Sequence, residues 1–527
     1  MWNKIKTIFS SNKPKEDQIQ RINTTTDPIP INKNLTVNLK KIKTNLAQSF
    51  DLNYKDVFLG GNQNYKTTII YITSIIDQQY LQQEIIKPLM LNIKFTAPQD
   101  IKSNIQKLIH QLPLPIGQTE FANSLNQVIA GVLAGKVVLF INQFDQAFML
   151  DIKKLASRDV NTPQIESTTR GPQEAFTESL ETNFSLIRKR LRDNNLMIKN
   201  YKLGKRTQTD LGVLYIDDLA DQEILQQLNN RIHNIDLDGV IDTSYINQYF
   251  QDNWKTPFPL FQNTERPDKA IHNLLEGKII LILDGTPFVS IVPTTFIQFF
   301  QTPEDYYDVF YVGSAIRVLR LIATFITISL PSLYISLVSF HHELLPTDLA
   351  LTIATTRQEV PFPSYLEALI MELSLELLRE SGIRLPGAIG QTIGIVGGLI
   401  LGEAAVNAGL VSPPMVIVVA LTAISSFVIP DYEAAIPLRL LRFPLMILAS
   451  FFSVYGIMIG WLFILIHICS LESFNQPYFA PFAPIKISDL KDSIIRVPLR
   501  LMGQRPYSTA NQQKDRQNRK GESKDEQ

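Results

Sequence analysis

Residues 360–430 constrain this chain more than any other stretch, because they combine membrane-like hydropathy with carboxylates. The stretch opens Val360-Pro361-Phe362-Pro363, and its first part, Ser364 to Arg384, holds Glu367, Glu372, Glu376 and Glu380. Its second part places Gly390, Gly394, Gly398 and Gly402 at strict four-residue spacing, followed at once by Glu403. Charged side chains are costly in hydrocarbon, so they face a bundle interior or a water-filled path. On a helical wheel Glu372, Glu376 and Glu380 share one face with Arg379 beside them, Glu367 points away, and Leu369, Leu373 and Leu377 form an adjoining apolar strip. Two readings follow. Several copies of the helix line a pore with carboxylate rings that favour cations, or the helix lies on a membrane surface with a solvated face. The glycine stripe fits close helix packing; a phosphate loop would need a preceding strand and a following Lys-Ser/Thr, and neither is present. Glu403 and Asn407, one turn apart, fit either a buried structural pair or a gating and ion-contact pair.

Four runs are long enough to span roughly 30 Å of hydrocarbon as helices: about 318–340, 387–409, 413–430 and 443–469. Arg317 and Arg320 before the first, and Lys486, Lys491, Arg496 and Arg500 after the last, place both termini in the cytoplasm. Crossings must then be even in number. Four suffice if residues 364–383 form a re-entrant or amphipathic helix. If that helix crosses, the last run must split in two. Arg439 and Arg442, near the opposite face, argue against the four-crossing solution.

The chain has 527 residues, enough for about three units. Its 50 basic side chains balance 50 acidic ones, so no global field recommends nucleic acid as a partner. The first 45 residues, with nine Lys/Arg against three Asp/Glu, read as a flexible basic lead-in. From 46 onward strands alternate with helices, the pattern of α/β units. Residues 71–83, YITSIIDQQYLQQ, match 215–227, YIDDLADQEILQQ, and 133–139, LAGKVVL, match 275–281, LEGKIIL. In the second pair a helix ends at glycine and a β-branched strand begins. The fold class expected is therefore an α/β soluble region of two tandem homologous subdomains, 46–158 and 200–305, followed by an all-α polytopic membrane domain over 306–475 and a cytoplasmic tail, 476–527, disordered at its end. Asp77 and Asp221, after the repeat strands, suit helix capping better than ligand binding.

Residues 159–199 read as a connecting helix. Pro172 suits its first position, Glu174, Glu178 and Glu181 crowd its start, and Arg188, Lys189, Arg190 and Arg192 crowd its end. The helix is either a stable connector or an interface element with a basic end. The single cysteine, Cys469, excludes a disulfide framework. His341-His342-Glu343 cannot converge on a metal from adjacent positions. With no nucleophile elbow, Cys-His pair or phosphate loop, neither enzyme activity nor a cofactor or metal is expected.

Arg170-Gly171-Pro172, with Phe176-Thr177-Glu178 and then Ile187-Arg188 and Arg190, resembles the GerA spore germination protein family, specifically its A subunit. The resemblance continues through Glu265-Arg266-Pro267-Asp268, Asp284-Gly285-Thr286-Pro287 and Glu304-Asp305-Tyr306-Tyr307. It then covers Val360-Pro361-Phe362-Pro363, Arg384-Leu385-Pro386 and Arg442-Phe443-Pro444. Gln173 and Ala175 depart from it, where the family often has Arg and Gly. The resemblance implies a multi-pass component of a nutrient germinant receptor in the inner membrane of the endospore. Such a subunit works with a transporter-like B subunit and a lipoprotein C subunit, and homo-oligomerises into a nutrient-gated channel for monovalent cations. It also implies a family interface at Arg170, Gly171, Pro172, Glu178, Arg188 and Arg190, and favours the pore or vestibule reading of Glu372, Glu376 and Glu380. A substrate-translocating transporter would show inverted hydropathy repeats, and none is found. A scaffold without its own pore is the third reading.

Overall fold

A computed structural model describes residues 28–59, 66–91, 120–152, 162–384, 397–398, 400–506 and 512–516. The chain divides into two compact units, one of residues 1–45, 53–72 and 76–153, the other of 46–52, 73–75 and 154–527.

The first unit holds a five-stranded sheet of β1 (Leu52–Phe58), β2 (Lys66–Ile72), β3 (Glu120–Ala122), β4 (Lys136–Ile141) and β5 (Ala147–Asp151), in the order β1-β2-β4-β5-β3. The helix α1 (Leu125–Leu133) feeds β4 through Gly135 at φ 84°, a left-handed cap that glycine adopts without a Cβ penalty. Asp77 accepts a hydrogen bond from the Tyr80 N–H at 3.0 Å, so it is a cap. The basic lead-in ends in structure. Leu35–Asn45 is helical, and Leu35 and Ile42 are buried, because apolar residues seven apart share a face.

The second unit repeats that strand order. Strands β6 (Leu196–Leu203), β7 (Thr209–Ile216), β8 (Gln262–Thr264), β9 (Ile279–Leu283) and β10 (Val289–Val292) lie as β6-β7-β9-β10-β8. Gly277, at φ 86°, stands where Gly135 stands in the first unit, and Asp221 caps its helix by accepting from the Glu223 N–H at 2.7 Å. β9 is buried at every position because both sheet faces are covered. Leu214 and Ile216 pack with α2 (Leu180–Arg190) and α4 (Pro267–Leu275), while Val213 and Tyr215 pack with α3 (Gln222–His233). The register pairs established in both sheets are antiparallel, β9 and β10 through a tight turn at Gly285, φ 93°. The strand–helix alternation thus belongs to a mixed α and β fold without parallel crossovers among the described pairings.

The connecting helix is shorter than the sequence suggests. It starts at Leu180 with Ser179 as cap, so Pro172 is not its first residue. The reason is Asn183, whose side-chain amide accepts from the Thr177 N–H at 2.8 Å and donates to the Thr177 carbonyl at 2.6 Å, holding residues before the cap extended.

After the second sheet the chain is helical: α5 (Phe310–Ser339), α6 (Ser364–Ile383), residues 400–407, α7 (Pro413–Phe427), α8 (Tyr432–Leu440) and α9 (Arg442–Ser470). Among the described residues two runs, Phe310–Ser339 and Tyr432–Ser470, are long and apolar enough to cross a membrane. Two expectations about this half are corrected. First, α6 does not turn back. Ser364 bonds Ser339 at the end of the bundle remote from the sheet, while Arg379 donates to Ser426 at 2.6 Å near the other end. Its 20 residues make about 30 Å of helix. Second, the last apolar run is two arms. Ser453 lies at φ 56°, outside helical space, and a Cβ on Gly460 would collide with Leu445, one on Gly456 with the Leu448 carbonyl oxygen. Residues 15 apart in a straight helix stand about 22 Å apart, so α9 folds into a hairpin. Gly456 and Gly460 let its arms touch, and the Ser453 hydroxyl at the tip bonds that of Ser336 at 2.7 Å.

A test follows. Gly456→Ala is expected to lower the melting temperature of the detergent-solubilised chain, at a cost of about 1–3 kcal/mol, since the new methyl meets backbone rather than a movable side chain. Gly398→Ala, where a Cβ meets nothing within 4 Å, is expected to leave it unchanged. Equal melting of the two variants would remove the hairpin seam.

Candidate functional site

Three charged places among the described residues of the helical half bear on function, and each is built differently. Nearest the sheet, α5 enters the bundle through a buried knot. The Asp305 carboxylate accepts from Arg317 Nε at 2.9 Å and from Arg320 Nη1 at 2.9 Å, and Arg317 Nη1 also reaches Asp492 at 2.8 Å. Arg496 donates to the Asp308 carbonyl at 3.0 Å, so the segment after the last helix is strapped to the base of the first.

The second place is the inner face of α6. Glu372, fully buried, pairs with Arg442 Nη1 at 2.7 Å, and Glu376 pairs with Arg442 Nη2 at 2.8 Å. Arg379 and Arg439 stand 3.9 Å from the same Glu376 oxygen. Glu380 is exposed and pairs with Arg384 at 2.6 Å. The three carboxylates read from the wheel as one pore face therefore part company. Glu372 and Glu376 turn into the protomer against arginines, while Leu373 and Leu377 are exposed. Glu367 sits on the buried side as well. It pairs with Arg357 at 2.9 Å and accepts from the Ser412 N–H at 3.0 Å and hydroxyl at 2.9 Å, tying α6 to the start of α7. Sequence reasoning missed Arg439 and Arg442 as partners of Glu372 and Glu376. The available signal was their spacing, three apart on one helical run against carboxylates four apart on another.

The third place is the helix over 400–407. Ile400, Glu403, Ala404, Asn407 and Ala408 are exposed, a continuous face at helical spacing. Among the described residues neither Glu403 nor Asn407 has a hydrogen-bond or ion-pair partner, so they do not form a buried structural pair. The opposite side of this helix is packed: a Cβ at Gly402 would lie 3.2 Å from Val416 of α7, and one at Gly397 3.0 Å from Leu378 of α6. Gly398 faces open space, and Gly390 and Gly394 lie outside the described residues. The glycine stripe is a packing surface at Gly402 and not at Gly398.

The remaining sequence candidates lie around the second sheet. Arg188 is buried and grips Asp51, Nε to one oxygen at 3.0 Å and Nη2 to the other at 2.9 Å. Arg190 and Lys189 both hold Glu174, at 2.6 and 2.9 Å, so much of the basic helix end is consumed internally. Arg170 pairs with Asp308 at 3.1 Å. The Pro172 carbonyl accepts from Arg266 at 2.9 Å, and Gly171, at φ 104°, lies so close under the Tyr307 ring that a Cβ would collide with it. The Glu178 side chain is exposed, and its carbonyl accepts from the Gly285 N–H at 2.8 Å.

The family model described as Bacillus/Clostridium GerA spore germination protein matches residues 40–508. The chain is 37% identical to Spore germination protein KA of Bacillus subtilis (strain 168) over 490 residues, covering 93% of this chain and 89% of that protein. It is 39% identical over 487 residues to the Uncharacterized membrane protein YfkQ of the same organism, covering 92% and 93%. With Spore germination protein GerLA of Bacillus cereus it shares 37% identity over 473 residues, covering 90% and 95%. Among solved structures, the N-terminal domain of the A subunit of the Bacillus megaterium spore germinant receptor GerK3 aligns at a TM-score of 0.40 and 28% identity, covering 51% of this chain and 99% of that one. On the extent of the family match and the near-full-length relatives, the chain belongs to the GerA family of spore germination proteins.

Proposed function

We propose that this chain is the A-type subunit of a spore nutrient germinant receptor, and that several copies surround an ion path lined by the exposed face of residues 400–407. The supporting observation is Glu403, an ionisable side chain on an apolar helix with Asn407 one turn away and no partner among the described residues. Such a group is untenable against lipid tails and is stable against water or another copy. Glu372 and Glu376 support the bundle rather than the path, because arginines already neutralise them. Six helical segments run along the bundle among the described residues: α5, α6, the 400–407 helix, α7 and the two arms of α9. Taken as one crossing each, they give an even number, which agrees with basic residues flanking both ends of the helical half and with both termini in the cytoplasm. The family points to the inner membrane of the endospore, a transporter-like B subunit and a lipoprotein C subunit as the setting.

Flux across liposomes carrying the assembled receptor tests this reading. Glu403→Gln is expected to lower the preference for monovalent cations over chloride by roughly tenfold, equivalent to about 1.4 kcal/mol in the barrier. Glu380→Gln, on the exposed Arg384 pair, is expected to leave it unchanged. Assembled Glu403→Gln receptors with wild-type selectivity would remove the lining assignment, and a native mass containing one copy would remove the ring.

A further inference from the structure

We propose that residues 485–501, which follow the last crossing, dock on the anionic phospholipid headgroups of the cytoplasmic leaflet. The proposal rests on the reading of the helical half as membrane-spanning and is independent of the ion path. Ile485, Ile487, Ile495, Leu499 and Leu501 are each more than half exposed. Single exposed apolar side chains are ordinary on a surface, but five within one short segment call for a cover. Leu499–Leu501 forms a single 3₁₀ turn behind Pro498, and all three of its residues are exposed. Successive side chains in such a turn point about 120° apart, so the turn stands proud of the surface with Arg500 between two leucines.

Depth places this segment at the membrane surface. The helix α5 has 30 residues, and about 30 Å of hydrocarbon takes roughly 20 of them at 1.5 Å each. Counted back from Ser339, that stretch reaches Leu319, between the buried Arg317 and Arg320. Ser314 then lies about 8 Å below the hydrocarbon edge, and the polar headgroup layer is roughly 5–8 Å thick. The Ser314 hydroxyl accepts from the Arg496 N–H at 3.1 Å, so the backbone beside Ile495 is pinned at the level of the lipid phosphates. Val309 and Tyr311, at the start of α5, are also more than half exposed, as befits an apolar and aromatic collar at that depth.

Charge selects the lipid. Asp489 is buried, Asp492 is taken by Arg317 at 2.8 Å, and Arg496 is buried against the Asp308 carbonyl. Lys491 and Arg500 are exposed and hold no ion pair among the described residues. The segment thus turns its carboxylates inward and its spare cations outward. Basic groups interleaved with apolar ones suit an anionic bilayer surface, where the cations meet phosphate and the apolar side chains reach the acyl boundary. A two-fold contact with a second copy would instead set like charges against each other.

Docking would be felt by the bundle. Asp492 and Arg496 belong to the same segment and grip the base of α5, so headgroup binding holds that base at a fixed depth.

Hydrogen exchange read by mass spectrometry tests the proposal, on the full-length chain at one copy per nanodisc. Discs of phosphatidylcholine alone are compared with discs enriched in phosphatidylglycerol. Exchange over 485–501 is expected to slow by about tenfold or more in the anionic discs, since two cations meet the surface. The double variant K491E/R500E is expected to abolish that difference, and K491Q/R500Q gives the same readout should the first fail to fold. Equal exchange in the two kinds of disc overturns the proposal, as does a difference that the folded double variant retains. Protection that appears only with two copies per disc also overturns it, and assigns the patch to a second copy. Retention of the chain in liposomes through an alkaline wash reports the spanning reading separately. Release overturns both readings, whereas retention with an unresponsive segment overturns the docking alone.

Discussion

Asp305→Ala is expected to destabilise the chain by about 3–5 kcal/mol, the cost of removing one partner from a buried ion pair. The carboxylate is 1% exposed and answers two guanidiniums at once, Arg317 and Arg320, both at 2.9 Å. It also accepts from the Thr302 N–H at 3.2 Å and hydroxyl at 3.1 Å. Without it Arg317 retains Asp492, but Arg320 retains only the Phe300 carbonyl and the Thr302 hydroxyl, both neutral. The measurement is thermal unfolding of the full-length protein in detergent, where the midpoint falls by several degrees. Adding Arg320→Met should restore most of the loss, since an apolar side chain of similar length carries no charge to compensate. A double variant no more stable than the single one would show that Asp305 acts by shaping the Thr302–Tyr307 turn instead. Asp305 joins the second sheet to α5 and lies next to the strap that carries Asp492 and Arg496, so its loss should also loosen proteolytic protection of residues 486–502.

The parts of this molecule that were legible in the sequence are those fixed by local chemistry. Gly135 and Gly277 each follow a helix and precede a β-branched strand, and both take the left-handed conformation that glycine allows. Asp77 and Asp221 cap because a short carboxylate before a helix reaches the free N–H groups. Pro172 illustrates the limit of local reasoning: the first-turn preference of proline is real, but the Asn183 amide, eleven residues on, overrides it. The inner face of α6 failed for a different reason. A wheel tells which residues share a face and not what the face meets, and Arg442 lies 66 residues from Glu376. The hairpin in α9 carried no proline at its tip. Its signals were a run too long for one crossing and the pair Gly456 and Gly460, a small-residue seam like the one recognised over 390–402.

Arg442→Met is expected to be the most damaging substitution in the bundle, costing about 3–5 kcal/mol and leaving two carboxylates without their main counter-ion. Arg442 is 1% exposed, and its two terminal nitrogens bridge Glu372 at 2.7 Å and Glu376 at 2.8 Å, a fork geometry open to arginine alone. Arg379 and Arg439 do not substitute for it, since both stand 3.9 Å from Glu376 and Arg379 is already committed to Ser426 at 2.6 Å. Arg442→Lys keeps the charge but reaches one carboxylate at a time, so it should lose less than Arg442→Met and remain clearly below the wild type in thermal unfolding. The informative comparison adds Glu372→Gln to Arg442→Met. If the loss is uncompensated charge, the neutral amide restores much of the stability. If instead Glu372 and Glu376 face a water path, Arg442→Met should unfold like the wild type, because hydrated carboxylates need no counter-ion, and cation flux should rise. The same protein preparation thus separates a structural ion pair inside the bundle from a conducting one, and it does so without relying on Glu403.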